Sequence, residues 1–228
     1  MLHGSPHPGV AGSELTRLLA RFAGASPTRT GLAFAERLGH WLSWSDAISL
    51  SAALNAAPSE SGPGRSRGAG GEEADFQRVR AALEASIDAG PRENASSPTD
   101  FGPHRRHCIA RQQAMQDAIG ALRQRLRDAL SRRSPALARL AAIDAVMDQT
   151  LAAQERGLLG LVPLRLQAHF ERLERLERLQ RTAGDGDTRW LDAFRDDMTL
   201  VLRAELEHRL LPAQGLLDTL RTHRPQPT

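Results

Sequence analysis

Residues 103–133, PHRRHCIARQQAMQDAIGALRQRLRDALSRR, and residues 134–163, SPALARLAAIDAVMDQTLAAQERGLLGLVP, decide how this chain folds. In the first stretch Cys108, Met115, Ile119, Leu122, Leu126 and Ala129 recur at spacings of three, four and once seven. In the second, Leu137, Leu140, Met147, Leu151, Leu158 and Leu161 do much the same. Such spacing draws one narrow apolar seam along a helix, as in a coiled coil. Ser134 is a good N-cap, Pro135 suits the first helical position, and a residue before proline is biased away from helix. The reading is a long antiparallel, coiled-coil-like hairpin folded at Ser134. It places Leu122 near Met147, Met115 near Leu151, Arg123 and Arg125 near Asp144, and Arg111 near Glu155.

Outward from the hairpin the chain stays helical. Pro163 falls inside the second arm and is expected to kink it. Beyond it, HFERLERLERLQR (169–181) sets Glu171–Arg175, Glu174–Arg178 and Glu177–Arg181 at i,i+4 with Glu first, the favourable order. Gly184-Asp185-Gly186-Asp187 is a turn. A last major helix spans about Thr188 to Leu211, where Pro212 breaks it, and a short helix follows to Arg221. It is expected to lay Leu191, Phe194, Met198 and Val201 on the second arm beside Phe170 and Leu173. Upstream, Phe76, Val79, Leu83 and Ile87 are helically spaced and Gly90-Pro91 stops that helix. SESGPGRSRGAGG (59–71) has no apolar residue larger than Ala, and chain of that kind gains too little from burial to become ordered. Three short helices precede it, the third capped by Ser45. No alternating β-branched run occurs, so the fold class is all-α, an elongated helical bundle. The expected segments are a disordered tail (1–12), an N-terminal helical subdomain (13–57), a flexible linker (58–71), a helix and loop (72–100), and the hairpin with C-terminal packing helices (101–228).

Composition narrows the function classes. The chain has 228 residues, 40% of them hydrophobic, yet aromatics are only 4% and tyrosine is absent. That favours helices packed through Leu and Ala over a large aromatic pocket. Lysine is absent, so all 30 basic residues are arginine, against 27 acidic ones. Arginine stays charged at any working pH and binds carboxylate or phosphate through a planar fork. The single cysteine forms no intramolecular disulfide. The amino terminus lacks a secretory pattern and no run of about 18 apolar residues exists, so a cytoplasmic protein without membrane insertion is expected.

Candidate sites are few. His104 and Cys108 share a helix face and could ligate zinc together with His107, but no second cluster with finger or HExxH spacing supplies the remaining ligands. Cys108 also lies on the apolar seam, where a small buried cysteine is ordinary. No GxSxG, Walker A or strand-borne GxGxxG motif occurs, so neither catalysis nor a cofactor is expected. Residues 103–133 carry eight arginines against Asp117 and Asp128. A basic rod suits phosphate backbones, but no aromatics are interleaved for base stacking. The favoured reading is pairing with carboxylates, within the chain or on a partner protein. Arg127, Arg132, Arg133 and Arg139 form a cationic hairpin tip for such a partner, and nucleic acid is the alternative. Trp41 and Trp44 are expected to dock the second and third helices on each other. Self-association is left open.

The segments RLGHWLSWSDAISLSAALNA (37–56), RRHCIARQQAMQDAIGALRQRLRDAL (105–130), residues 134–163 and LQAHFERL (166–173) resemble a proteobacterial family of unknown function. The resemblance covers nearly the whole chain. Genes of that family often neighbour those of MotA/TolQ/ExbB-type proton channels and OmpA-like peptidoglycan-binding proteins. It therefore implies a cytoplasmic accessory of an envelope-spanning, ion-driven complex, a scaffold or adaptor, and assigns no catalytic residue.

Overall fold

The computed structural model describes residues 13–23, 44–55, 70–91, 99–180 and 189–223. These residues are all-α, with no strand among them. The helices are α1 (Glu14–Ala23), α2 (Trp44–Asn55), α3 (Gly71–Asp88), α4 (Gly102–Ser131), α5 (Pro135–Leu159), α6 (Val162–Gln180) and α7 (Arg189–Thr222). The expected tail, the helix around Leu32–Leu42 and nearly all of the expected linker lie outside the described residues.

Helix α4 is the axis. It packs against α3, α5, α6 and α7, and its longest contact is with α7. Its seam is buried throughout: Cys108, Met115, Ile119, Leu122, Leu126 and Ala129 are all in the core. Asp100 opens the helix by accepting from the Gly102 amide at 2.7 Å, and Pro103 occupies its first turn. At the far end, Ser134 is extended and its hydroxyl accepts from the Leu137 amide at 3.2 Å, with Pro135 at the start of α5. That capping redirects the chain, and α5 returns along α4.

The return register differs from a simple fold at Ser134. Gln112 meets Leu159, Arg123 meets Asp148, and Arg127 meets Asp144, each across the two helices. Position 123 therefore faces 148 as well as the expected Asp144, to which it also donates. The second arm's apolar seam is only partly inside. Leu137 is buried, Leu140, Met147 and Leu151 are half-buried, and Leu158 and Leu161 are exposed. Leu137, Ala141 and Leu159 are the buried apolar residues of this arm, and Asp144 and Asp148 also meet α4, through Arg123 and Arg127. Helix α2 covers another face of α5.

Pro163 ends the arm instead of kinking it. Helix α5 closes at Leu159, Gly160-Leu161 form a turn, and α6 starts at Val162 with Pro163 in its first turn, where the missing N–H is harmless. Pro212 does the reverse of what was expected, lying inside an unbroken α7. Pro212 is exposed, and it frees only the carbonyl of His208, an exposed residue. Leu210, Ala213, Leu216, Leu217 and Leu220 remain buried across that point, and packing offsets the lost bond. Helix α2 opens at Trp44, ahead of the expected cap Ser45. Gly90, with φ +66°, takes the left-handed conformation that stops α3, as its sequence implies.

The described parts of residues 13–57 dock separately, α1 on α6 and α7 and α2 on α5. Helix α7 lies on α6 as expected, but its larger contact is with α4.

Candidate functional site

Three polar centres join the helices, and each uses residues far apart in sequence. The first sits between α4 and α5. Arg123 donates to Asp144 at 2.8 Å and to Asp148 at 2.5 Å, while Arg127 donates to both at 2.7 Å. Two arginines four residues apart thus face two aspartates four residues apart, one turn on each helix. Arg127, expected in the free tip, is only 11% exposed. Burial lowers the pKa of its guanidinium, and the bonds and charges of Asp148 and Asp144 outweigh that, leaving it raised. Arg125 turns the other way and donates to Asp75 of α3 at 2.6 Å. Arg111 donates to the carbonyl of Ser86 at 3.2 Å and not to Glu155.

The second centre ties α4, α5 and α7. Glu205 is fully buried. The Gln112 amide donates to its carboxylate at 2.9 Å and to the carbonyl of Leu159 at 2.9 Å. Arg209 donates to Glu205 at 2.9 Å and to Glu155 at 3.3 Å. Burial raises the Glu205 pKa, and Arg209 and Gln112 oppose it. A cavity of about 150 Å³ opens beside this centre, bounded by Ile109, Gln116, Arg156, Leu159, Gly160 and Arg209.

The third holds α1. The buried ring of His169 stacks on Phe22 with centroids 4.2 Å apart and planes 14° apart. Its Nε2 meets Asp197 at 2.7 Å, and its Nδ1 meets the Arg172 guanidinium at 2.9 Å. A guanidinium can only donate, so Nδ1 accepts and the Nε2 proton points at Asp197. Arg172 also donates to the carbonyl of Phe22 at 3.2 Å, and Arg21 to Asp197 at 3.1 Å. Neighbouring rings extend this end into an aromatic cluster. Phe194 meets Phe170 edge-on at 5.0 Å, Phe170 meets Trp190 at 5.1 Å, and Phe101 meets Phe170 at 5.5 Å.

His104 belongs to this packing, Cys108 is buried in the core beside Glu205, and His107 is half-buried next to Ile87 of α3. His104 is buried against Phe170 and Phe194, 5.7 and 5.1 Å from their centroids, and its Nδ1 has no hydrogen-bond partner. Burial, then the Arg195 charge, pushes its pKa down to about 4, so the ring is neutral. Cys108 is fully enclosed, and burial, then the charge of Glu205, pushes its thiol up to about 12, far from the thiolate that metals and electrophiles require. Among the described residues no group of three or more His, Cys, Asp and Glu is placed to hold a metal ion.

The remaining expected site residues are dispersed. Arg132 is exposed and Arg133 half-buried in the turn after α4, and Arg139 is exposed on α5. Trp41 and the side chain of Trp44 lie outside the described residues. No helix among the described residues is long and apolar enough to cross a membrane. The first polar centre had a signal in the sequence, the matched i,i+4 Arg and Asp pairs, whereas nothing in the spacing around His169 and Glu205 singles them out before their partners are placed.

Neither the curated proteins nor the solved structures give a match. Residues 1–222 match the family described as "Protein of unknown function (DUF3348)", and with that coverage the chain belongs to it.

Proposed function

We propose that this chain is a non-enzymatic helical scaffold or adaptor that presents surfaces to a protein partner. The observation that carries this reading is where the arginines of α4 go. Arg123, Arg125 and Arg127 are bound to Asp144, Asp148 and Asp75, so the second half of the basic helix works as an internal strut. Arg105, Arg106 and Arg132 remain exposed at its two ends, about 40 Å apart at 1.5 Å per residue. A duplex tracked along the helix would need cations in between.

The family resemblance supplies the proposed setting, a cytoplasmic accessory of an envelope-spanning, ion-driven complex whose channel subunit is of the MotA/TolQ/ExbB type. The proposed contact is the turn at Arg132 and Arg133, with Arg139 beside it, meeting an acidic surface. Charge of that kind raises the association rate and sets orientation. The test measures association of the full chain with the purified channel protein at low and physiological salt. Reversing Arg132 and Arg133 to Glu slows association and leaves the melting temperature unchanged. An unchanged rate places the interface elsewhere. Salt-dependent binding of duplex or single-stranded nucleic acid, lost in that variant, would instead favour the nucleic-acid reading.

A further inference from the structure

The break between α5 and α6 borders a notch. Gly160 lines the cavity beside the Glu205 centre, and a Cβ there would meet the carbonyl of Arg156 at 2.9 Å, which favours glycine at this position. The Gln112 amide, fixed by Glu205, holds the carbonyl of Leu159. The walls are therefore preorganised from beneath. At about 150 Å³ the notch suits one side chain and is small for a metabolite, whose pockets start near 300 Å³.

Its chemistry is two-sided. Ile109, 46% exposed, and Leu159 supply apolar walls. Leu158 and Leu161, on either side of Leu159-Gly160, are 59% and 46% exposed, so the notch has apolar surface next to it along the chain. Monomers tolerate single exposed leucines, whereas several at one place mark a contact surface. The polar boundary is cationic. Arg209 already holds Glu205 and Glu155, but Arg156 is exposed and makes no ion pair with a described residue. Gln116 beside it is exposed with its amide uncommitted to any described group.

We infer that this notch receives a glutamate or aspartate side chain from an apolar-faced helix of a partner protein. The acid's stem lies on Ile109 and Leu159, its carboxylate meets Arg156, and the helix's apolar face covers Leu158 and Leu161. This is helix-in-groove recognition with one charged anchor. A second copy docked notch to notch would have to offer Arg156 an acid from the same lining, which holds none, and a bilayer surface is too flat to fill a concavity. The inference rests on the adaptor reading and adds a site separate from the Arg132–Arg133 turn.

The test uses the full chain and a pair of helical peptides of about 20 residues with a leucine face. They differ only in a central Glu or Arg, and binding is followed by fluorescence anisotropy at physiological salt. The Glu peptide binds at least about ten-fold more tightly than the Arg peptide. Arg156→Glu reverses that order, and Leu161→Ser weakens both, while circular-dichroism melting stays unchanged in each variant. Equal affinities, no binding by either peptide at millimolar concentration, or a preference that survives Arg156→Glu would overturn the inference. So would Arg156-dependent sedimentation with phosphatidylglycerol vesicles in place of peptide binding, or dimerisation abolished by Leu161→Ser. If the peptide preference holds while the channel protein is never captured, the proposed partner is wrong and the notch stands.

Discussion

The two halves of α4 are anchored by different physics. Its first half, around His104 and Cys108, lies among Phe101, Phe170 and Phe194, where contact area and ring geometry hold α6 and α7 in place. Its second half meets α5 partly through Leu122, Leu126 and Leu137, and partly through the Arg123, Arg127, Asp144 and Asp148 square. An aromatic cluster tolerates salt and depends on filled volume. A charge square depends on geometry, because each ion has given up solvation that only its partners replace. A chain with few aromatics has concentrated four of its six phenylalanines, Phe22, Phe101, Phe170 and Phe194, at one end. The other end combines buried leucines and Phe76 of α3 with the arginines and aspartates.

The largest effect belongs to the aromatic end. Phe194→Ala removes a fully buried ring that touches Phe101, His104, His169 and Phe170, and costs about 3–5 kcal/mol in urea unfolding. A cost below about 1 kcal/mol would mean that this end is loosely packed.

Next comes the charge square. Asp144→Ala leaves Arg123 and Arg127 sharing Asp148 alone in a largely enclosed site and costs about 1.5–3 kcal/mol. The same change at Asp117, which is exposed and among the described residues bonds only to Gln113, stays within about 0.5 kcal/mol. Similar costs at the two positions would remove the distinction between strut and surface.

Acid then separates the two ends. His104 has a folded pKa of about 4, below the ordinary imidazole value of 6.5, so the unfolded chain binds more protons between those values. Its contribution is intact above pH 6.5 and lost as pH falls towards 4, at a slope of at most about 1.4 kcal/mol per pH unit. His104→Leu abolishes that slope and removes a buried nitrogen without a partner. An unchanged acid profile in His104→Leu would assign the slope to other groups. The charge-reversed turn, Arg132→Glu with Arg133→Glu, is the smallest of these changes and shifts stability by no more than about 0.5 kcal/mol.

Much of this was legible residue by residue. The first arm's seam, the Ser134-Pro135 cap, the Gly90 stop and the all-α class follow from period and capping chemistry. The second arm misled because a search for apolar period passes over Asp148, which meets α4 together with Asp144, the partner expected for Arg123. Those aspartates, four apart, mirror Arg123 and Arg127, and that match was the available signal. Arg178 pairs with Glu174 as its spacing implies, but Glu171 accepts from Gln167. Pro212 misled because a local rule was given more weight than the buried leucines on both sides of it. The Phe194–Phe170 contact was legible from the two helix faces, but Phe22 and Phe101 join it only after α1 and α4 are assembled on α6 and α7.

The claim that α4's arginines serve as internal struts is tested most directly by a double-mutant cycle on Arg127 and Asp144. Arg127→Ala, Asp144→Ala and the double variant are unfolded in urea under identical salt. A strut predicts that the two losses overlap, with a coupling energy of about 1–3 kcal/mol. Losses that add within about 0.5 kcal/mol would contradict it, and would return these arginines to the pool available for a partner.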